Sequence, residues 1–203
     1  LNDSVMGVIT GFVMALVVWG WLELLYLMGY LTGPNKYPAT ETTWPSGLRF
    51  RRALGTTLHH EILVLAILLI VFLQTVNGPN LIIFKTLGIL WIMRCSTKLN
   101  LFFGVRHFNE SWLPETMKYV STYVRTGKNS PLMSMSTFAA ALITLFLFLA
   151  GVASANHPAA LSMYLLAWLA ALAVLEHFFL MYPMGESALW RWADPTATGI
   201  KSE

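Results

Sequence analysis

Glu23, His59, His60, Glu61, Arg94, Lys98, Asn100, Glu176 and His177 all fall inside long apolar runs of the sequence. An ionisable group at the centre of a bilayer-spanning helix costs at least about 2.5 kcal/mol, so such groups face protein and take partners. Arg94 and Lys98 are four residues apart and share a helix face with Trp91. Two cations on one face need anions, and Glu23, Glu61 and Glu176 are the carboxylates placed to meet them.

Three chemistries fit this set. The first is ion pairing between helices that sets their packing. In the second, His60 or His177 ligates the magnesium of a bacteriochlorophyll-type pigment while neighbouring carboxylates orient the imidazole. In the third, His60, Glu61, Glu176 and His177 hold a metal, as carboxylate–histidine sets do in helical bundles. The Glu-x-x-His spacing of those bundles is absent, and adjacent pairs such as His60-Glu61 and Glu176-His177 point about 100° apart on a helix. Metal binding is therefore the least favoured of the three.

The elements that must position these groups are transmembrane helices. Hydrophobic residues make up 56% of the 203 positions and charged residues 11%, far from the balance of a water-soluble domain. Windows of roughly 20 apolar residues, enough to cross the hydrocarbon core, recur along the chain. The sequence predicts an all-α, polytopic membrane helix bundle: one transmembrane domain over residues 1–192 with about five spans at 5–33, 54–76, 81–104, 132–154 and 159–182, then a tail at 193–203. Asn77-Gly78-Pro79-Asn80 and Ala155-Asn156-His157-Pro158 are tight reversals.

Between the third and fourth spans, Leu113, Met117, Val120 and Val124 repeat at helical spacing behind Pro114, which predicts a short amphipathic surface helix. Gly7, Gly11 and Ala15 lie four apart, a face that lets another helix approach closely and a candidate docking surface. Asn109 and Glu110 are the candidate partner contacts of the second loop. Lone Cys95 excludes an internal disulfide and reads as a core residue.

The net charge of +3 does not point to nucleic acid, because the basic residues sit in short loops beside apolar runs. Lys36, Arg49, Arg51 and Arg52 lie in the first long loop and Arg106, Lys118, Arg125 and Lys128 in the second, whereas the tight reversals carry neither lysine nor arginine. The positive-inside rule then puts both long loops and the carboxyl tail in the cytoplasm. Under that topology Glu23, Glu61, Arg94 and Glu176 share one depth in the cytoplasmic half of the bundle, each roughly 10–15 Å from its helix end at 1.5 Å per residue. Leu1 begins without an initiator methionine or signal peptide, so the natural start is expected upstream.

Several ordered blocks resemble the PuhE-type photosynthetic complex assembly proteins of phototrophic purple bacteria. They are Trp19-Gly-Trp-Leu-Glu23, Gly33-Pro34, His60-Glu61, Arg94, Lys98-Leu-Asn100, Phe102-Phe-Gly-Val105, Asn109-Glu110, Leu113-Pro114, Leu175-Glu-His177 and Leu189-Trp-Arg-Trp192. The resemblance implies a multi-pass protein of the bacterial inner, photosynthetic membrane, encoded near the gene for the reaction-centre H subunit and supporting accumulation of reaction-centre and light-harvesting complexes. It implies about two further spans upstream, and it establishes no reaction. The expected partners are membrane lipid and photosynthetic subunits or pigment-biosynthesis enzymes. The leading expectation is an accessory protein that binds pigment or such an enzyme through the polar cluster. A membrane enzyme of pigment synthesis and a permanent structural subunit are the alternatives.

Overall fold

The computed structural model describes residues 2–39, 44–110 and 113–182. Among these residues the chain forms seven α-helices and no strand: α1 (Val5–Leu27), α2 (Ser46–Gly55), α3 (Leu58–Thr75), α4 (Ile82–Phe103), α5 (Lys118–Ser121), α6 (Pro131–Ala153) and α7 (His157–Met181). Four of them, α1, α3, α6 and α7, are long and apolar enough to cross a membrane. Their outer faces expose Val17, Leu69, Phe146 and Trp168, each at least 58% accessible, an apolar surface suited to lipid rather than to water. This is a multi-pass membrane protein.

The fifth expected span, α4, is a 22-residue helix carrying Lys85, Arg94 and Lys98, and it falls outside the apolar set. Its place in the bundle explains how it tolerates charge. It packs against α1, α3, α6 and α7, so much of its surface meets protein. Leu87 of α4 joins Ala15 and Leu22 of α1 and Val64 and Leu68 of α3 in one apolar cluster, while Ile82 joins Val8 of α1 and Leu166 of α7 in a second. The most extensive helix–helix contact is the α6–α7 hairpin.

Helix ends depart from the expected spans where local hydrogen bonds outrank hydropathy. The Ser4 hydroxyl accepts from the Gly7 amide and starts α1. Beyond Leu27 the backbone turns at Gly29, with φ of +81°, so α1 stops although Tyr30 and Leu31 continue the apolar run to Gly33. The second span begins at Leu58 rather than at residue 54. Ahead of it Ser46–Gly55 forms the separate helix α2, with Arg49, Arg51 and Arg52 among Leu48, Phe50 and Leu54.

The surface helix expected from Leu113 onwards is only a 3-10 turn, Glu115–Met117, followed by the four residues of α5. The Ser121 and Thr122 hydroxyls bond back to the Lys118 and Tyr119 carbonyls, which stops the helix there. Its apolar stripe nevertheless turns inward, with Met117 buried and Val120 and Val124 half-buried.

Both basic loops meet at one end of the bundle. Asn35 Nδ2 donates to the Tyr123 hydroxyl at 2.8 Å and to the Arg52 carbonyl at 2.9 Å, and the Ala39 amide donates to Thr122 Oγ1 at 2.8 Å. The α3–α4 turn lies against the amino end, where Asn80 Nδ2 donates to the Asn2 carbonyl at 3.2 Å. Trp190, Trp192 and the tail at 193–203 lie outside the described residues.

Candidate functional site

The expected polar cluster separates into two groups on either side of α4. On the α1–α3 side, Arg94 meets Glu23 at 3.0 Å, and Lys98 donates to Glu61 Oε1 at 2.5 Å and to Thr57 Oγ1 at 2.9 Å. The other Glu61 oxygen accepts from Trp91 Nε1 at 2.9 Å. Fully buried His60 sits between the two carboxylates, 3.8 Å from Glu23 Oε1 and 3.6 Å from Glu61 Oε1, and packs on the Tyr26 ring at 5.0 Å. Lys98 Nζ lies 4.8 Å from the centre of that same ring.

These placements follow from helix geometry. The four-residue step from Arg94 to Lys98 puts both cations on the α4 face that looks toward α1 and α3. Each then takes the carboxylate that its neighbouring helix supplies at that height. A buried charge left alone would cost several kcal/mol, and here every charge of the group has an opposite one in reach.

On the α6–α7 side the groups are hydrogen-bonded rather than ion-paired. His177, fully buried, shares a 2.9 Å hydrogen bond between Nε2 and Ser96 Oγ, and its Nδ1 lies 2.8 Å from the Ala173 carbonyl. Asn100 Nδ2 donates to Ser136 Oγ at 2.8 Å and to Ser96 Oγ at 3.4 Å. Thr97 Oγ1 donates to Glu176 Oε1 at 3.3 Å.

A cavity of about 230 Å³ between α1, α4 and α7 reunites part of the set, with Trp19, Glu23, Arg94 and Glu176 on its wall among Leu90, Leu169 and Leu172. The Arg94 side chain is 30% exposed there, against 16% for its partner Glu23.

The donor sets can be tested against the expected ligands. Both His177 nitrogens are engaged by protein. The His60 nitrogens have no hydrogen-bond partner, but they are enclosed by two carboxylates and the Tyr26 ring. Neither imidazole presents a nitrogen to a macrocycle, so axial ligation of a pigment magnesium does not fit this arrangement. Among the described residues no three histidine, cysteine, aspartate or glutamate side chains converge as metal ligands, and His60-Glu61 and Glu176-His177 fall in the two different groups.

Gly7, Gly11 and Ala15 are buried, so the small-residue face is consumed inside this chain instead of standing open for docking. Asn109 is half-buried and Glu110 exposed in the loop after α4.

A family model described as a protein of unknown function, DUF3623, matches residues 1–200. The chain belongs to the DUF3623 family. It is 33% identical over 204 residues to an uncharacterized 30.4 kDa protein in the puhA 5′ region of Rhodobacter capsulatus, covering 96% of this chain and 71% of that one. No solved structure matches it.

Within the DUF3623 chain several site residues carry no signal in the sequence. Thr57, Ser96 and Ser136 are hydroxyl partners of the charged or amide groups, and nothing in an apolar run marks a small hydroxyl as such a partner. Asn35 and Arg49 fasten the two basic loops together, Arg49 by donating to the Tyr123 carbonyl at 2.8 Å. For Asn35 a signal exists: it is a polar residue directly after Gly33-Pro34, where a helix has stopped.

Proposed function

We propose that this chain is an accessory protein for the assembly of bacterial photosynthetic complexes, presenting the groove of Trp19, Glu23, Arg94 and Glu176 to a membrane partner: a bacteriochlorophyll-type pigment or an enzyme that handles it. The observation that carries this reading is the partly open Glu23–Arg94 pair, with Glu176, on a wall that is apolar apart from these three charged groups and the Trp19 indole. A charge pair at membrane depth is expensive when it faces lipid, and a partner that covers the groove removes that expense. The relative in the puhA 5′ region and the PuhE-type sequence blocks support the photosynthetic setting.

In this reading α4 is a fifth crossing. At 1.5 Å per residue its 22 residues reach about 33 Å, enough for the hydrocarbon core. The end that gathers α2 and α5 is the cytoplasmic one, by the clustering of Arg49, Arg51, Arg52, Arg125 and Lys128 in its loops. The membrane is the bacterial inner, photosynthetic one.

The test is complementation in a phototrophic host that lacks its own copy. Trp19→Ala and Arg94→Gln, expressed at the wild-type level, are expected to lower the near-infrared absorbance of reaction-centre and light-harvesting complexes in membranes. The tagged protein is expected to copurify with incompletely assembled complexes. Constant stoichiometry with the mature complex would instead make it a subunit, and wild-type absorbance in both variants would overturn the groove's role.

A further inference from the structure

A second and larger cavity, about 330 Å³, lies beneath α2, at the low end of the roughly 300–1,000 Å³ typical of small-molecule sites. Its walls are Phe50 and Leu54 of α2, Leu99 and Phe102 of α4, and Val120 and Val124 of the second loop, with the Glu61–Lys98 pair also on its lining. Because Lys98 is already neutralised by Glu61, the interior suits an apolar guest.

The wall at Phe102 is different. Two guanidinium groups lie over that one ring, Arg49 at 5.3 Å and Arg125 at 5.9 Å from its centre. Among the described residues no carboxylate is within 4.0 Å of either arginine. Burial first, and then the charge of nearby Arg125, pushes the Arg49 pKa down from its ordinary value. Arg49 belongs to an amphipathic helix whose Leu48, Phe50 and Leu54 are exposed, the composition of a segment lying in the plane of a membrane surface.

We propose that this is a binding site for an anionic phospholipid, its phosphate held between Arg49 and Arg125 and one acyl chain lodged in the cavity lined by Leu54, Leu99 and Val120. An anion there relieves the repulsion between the guanidiniums and receives bidentate hydrogen bonds from them. Basic pockets between membrane helices recognise acidic headgroups by the same chemistry. The acyl chain supplies what a free phosphate lacks, which is apolar area to bury.

The experiment uses the full chain, purified in mild detergent and exchanged into nanodiscs containing equal phosphatidylglycerol and phosphatidylcholine, with retained lipid counted by native mass spectrometry. The expected result is a single phosphatidylglycerol retained in preference to phosphatidylcholine. Arg49→Gln and Arg125→Gln should each weaken retention about five-fold, the effect of one surface arginine on an acidic lipid. Arg49→Lys/Arg125→Lys, which keeps the charge, should retain the preference in part, and Leu99→Trp should expel the lipid by filling its chain site.

Equal retention of both lipids, or a wild-type preference in both Gln variants, would overturn the proposal. So would full displacement by millimolar inorganic phosphate or by an acidic peptide, since either outcome would mean that the acyl chain contributes nothing.

Discussion

Glu61 of α3 and Lys98 of α4 meet at 2.5 Å, with both side chains less than a quarter exposed, and the remaining Glu61 oxygen takes the Trp91 indole. The carboxylate is thus a joint between two helices. Glu61→Gln leaves the half-buried Lys98 ammonium without its counter-charge and is expected to destabilise by about 2 kcal/mol. Glu61→Gln/Lys98→Met, which removes both charges, should recover a large part of that loss. Thermal unfolding in detergent measures the cycle, and strictly additive single and double variants would show that the pair is uncoupled.

Gly33 and Gly88 form a contrasting pair. A Cβ at Gly33 would lie 2.0 Å from the Gly55 carbonyl oxygen and 2.8 Å from the Leu58 amide, whereas a Cβ at Gly88 meets nothing within 4 Å. Gly33→Ala should therefore push the α2–α3 joint off the end of α1, at a loss of roughly 1–3 kcal/mol. Gly88→Ala, in mid-helix, should be neutral or stabilising by up to about 1 kcal/mol. Melting temperatures of the two variants side by side decide the point.

Asn35 bonds to both basic loops through one amide group. Asn35→Ala is expected to loosen α2 without unfolding the bundle. Hydrogen exchange should rise at residues 46–55 and stay unchanged in α6 and α7. A uniform rise along the chain would mean that Asn35 supports the whole fold.

Asn100 is fully buried and ties α4 to α6 through Ser136. Asn100→Leu leaves the Ser136 hydroxyl without its cross-helix donor, at a cost of about 1–3 kcal/mol. Asn100→Leu/Ser136→Ala should regain most of this, because both polar groups then leave together. Urea or detergent titration of the single and double variants measures the difference.

The parts of the site that are legible in the sequence are those that electrostatics forces. Charged side chains in apolar runs must be paired, so Glu23, Glu61, Arg94 and Lys98 assemble into one cluster on that ground alone, and the helices do pair them. Glu176 and His177 are legible as polar groups within an apolar run, yet only His177 is buried while Glu176 is exposed, and their assignment to the α6–α7 side depends on which face of α4 each helix meets. Hydropathy locates the long helices yet runs past the end of α1, because the left-handed turn at Gly29 is a backbone event that an apolar Leu31 does not report. It also hides α2, since three arginines within four residues resemble a loop until Leu48, Phe50 and Leu54 are seen along one short helix. The surface helix fails for the opposite reason: the periodicity is sound, but the Ser121 and Thr122 hydroxyls cut the helix short.

Glu23 and Glu61 stand earlier in the chain than Arg94 and Lys98, and their pairings have a consequence for biogenesis. A ribosome makes the amino-terminal segments first. When α4 emerges with its cations, the carboxylates that neutralise them have already been synthesised, so the costliest helix to insert is delivered to waiting counter-charges. Moving α4 ahead of α1 and α3 in a permuted gene would leave the Glu23–Arg94 and Glu61–Lys98 pairs encoded and remove that order of arrival.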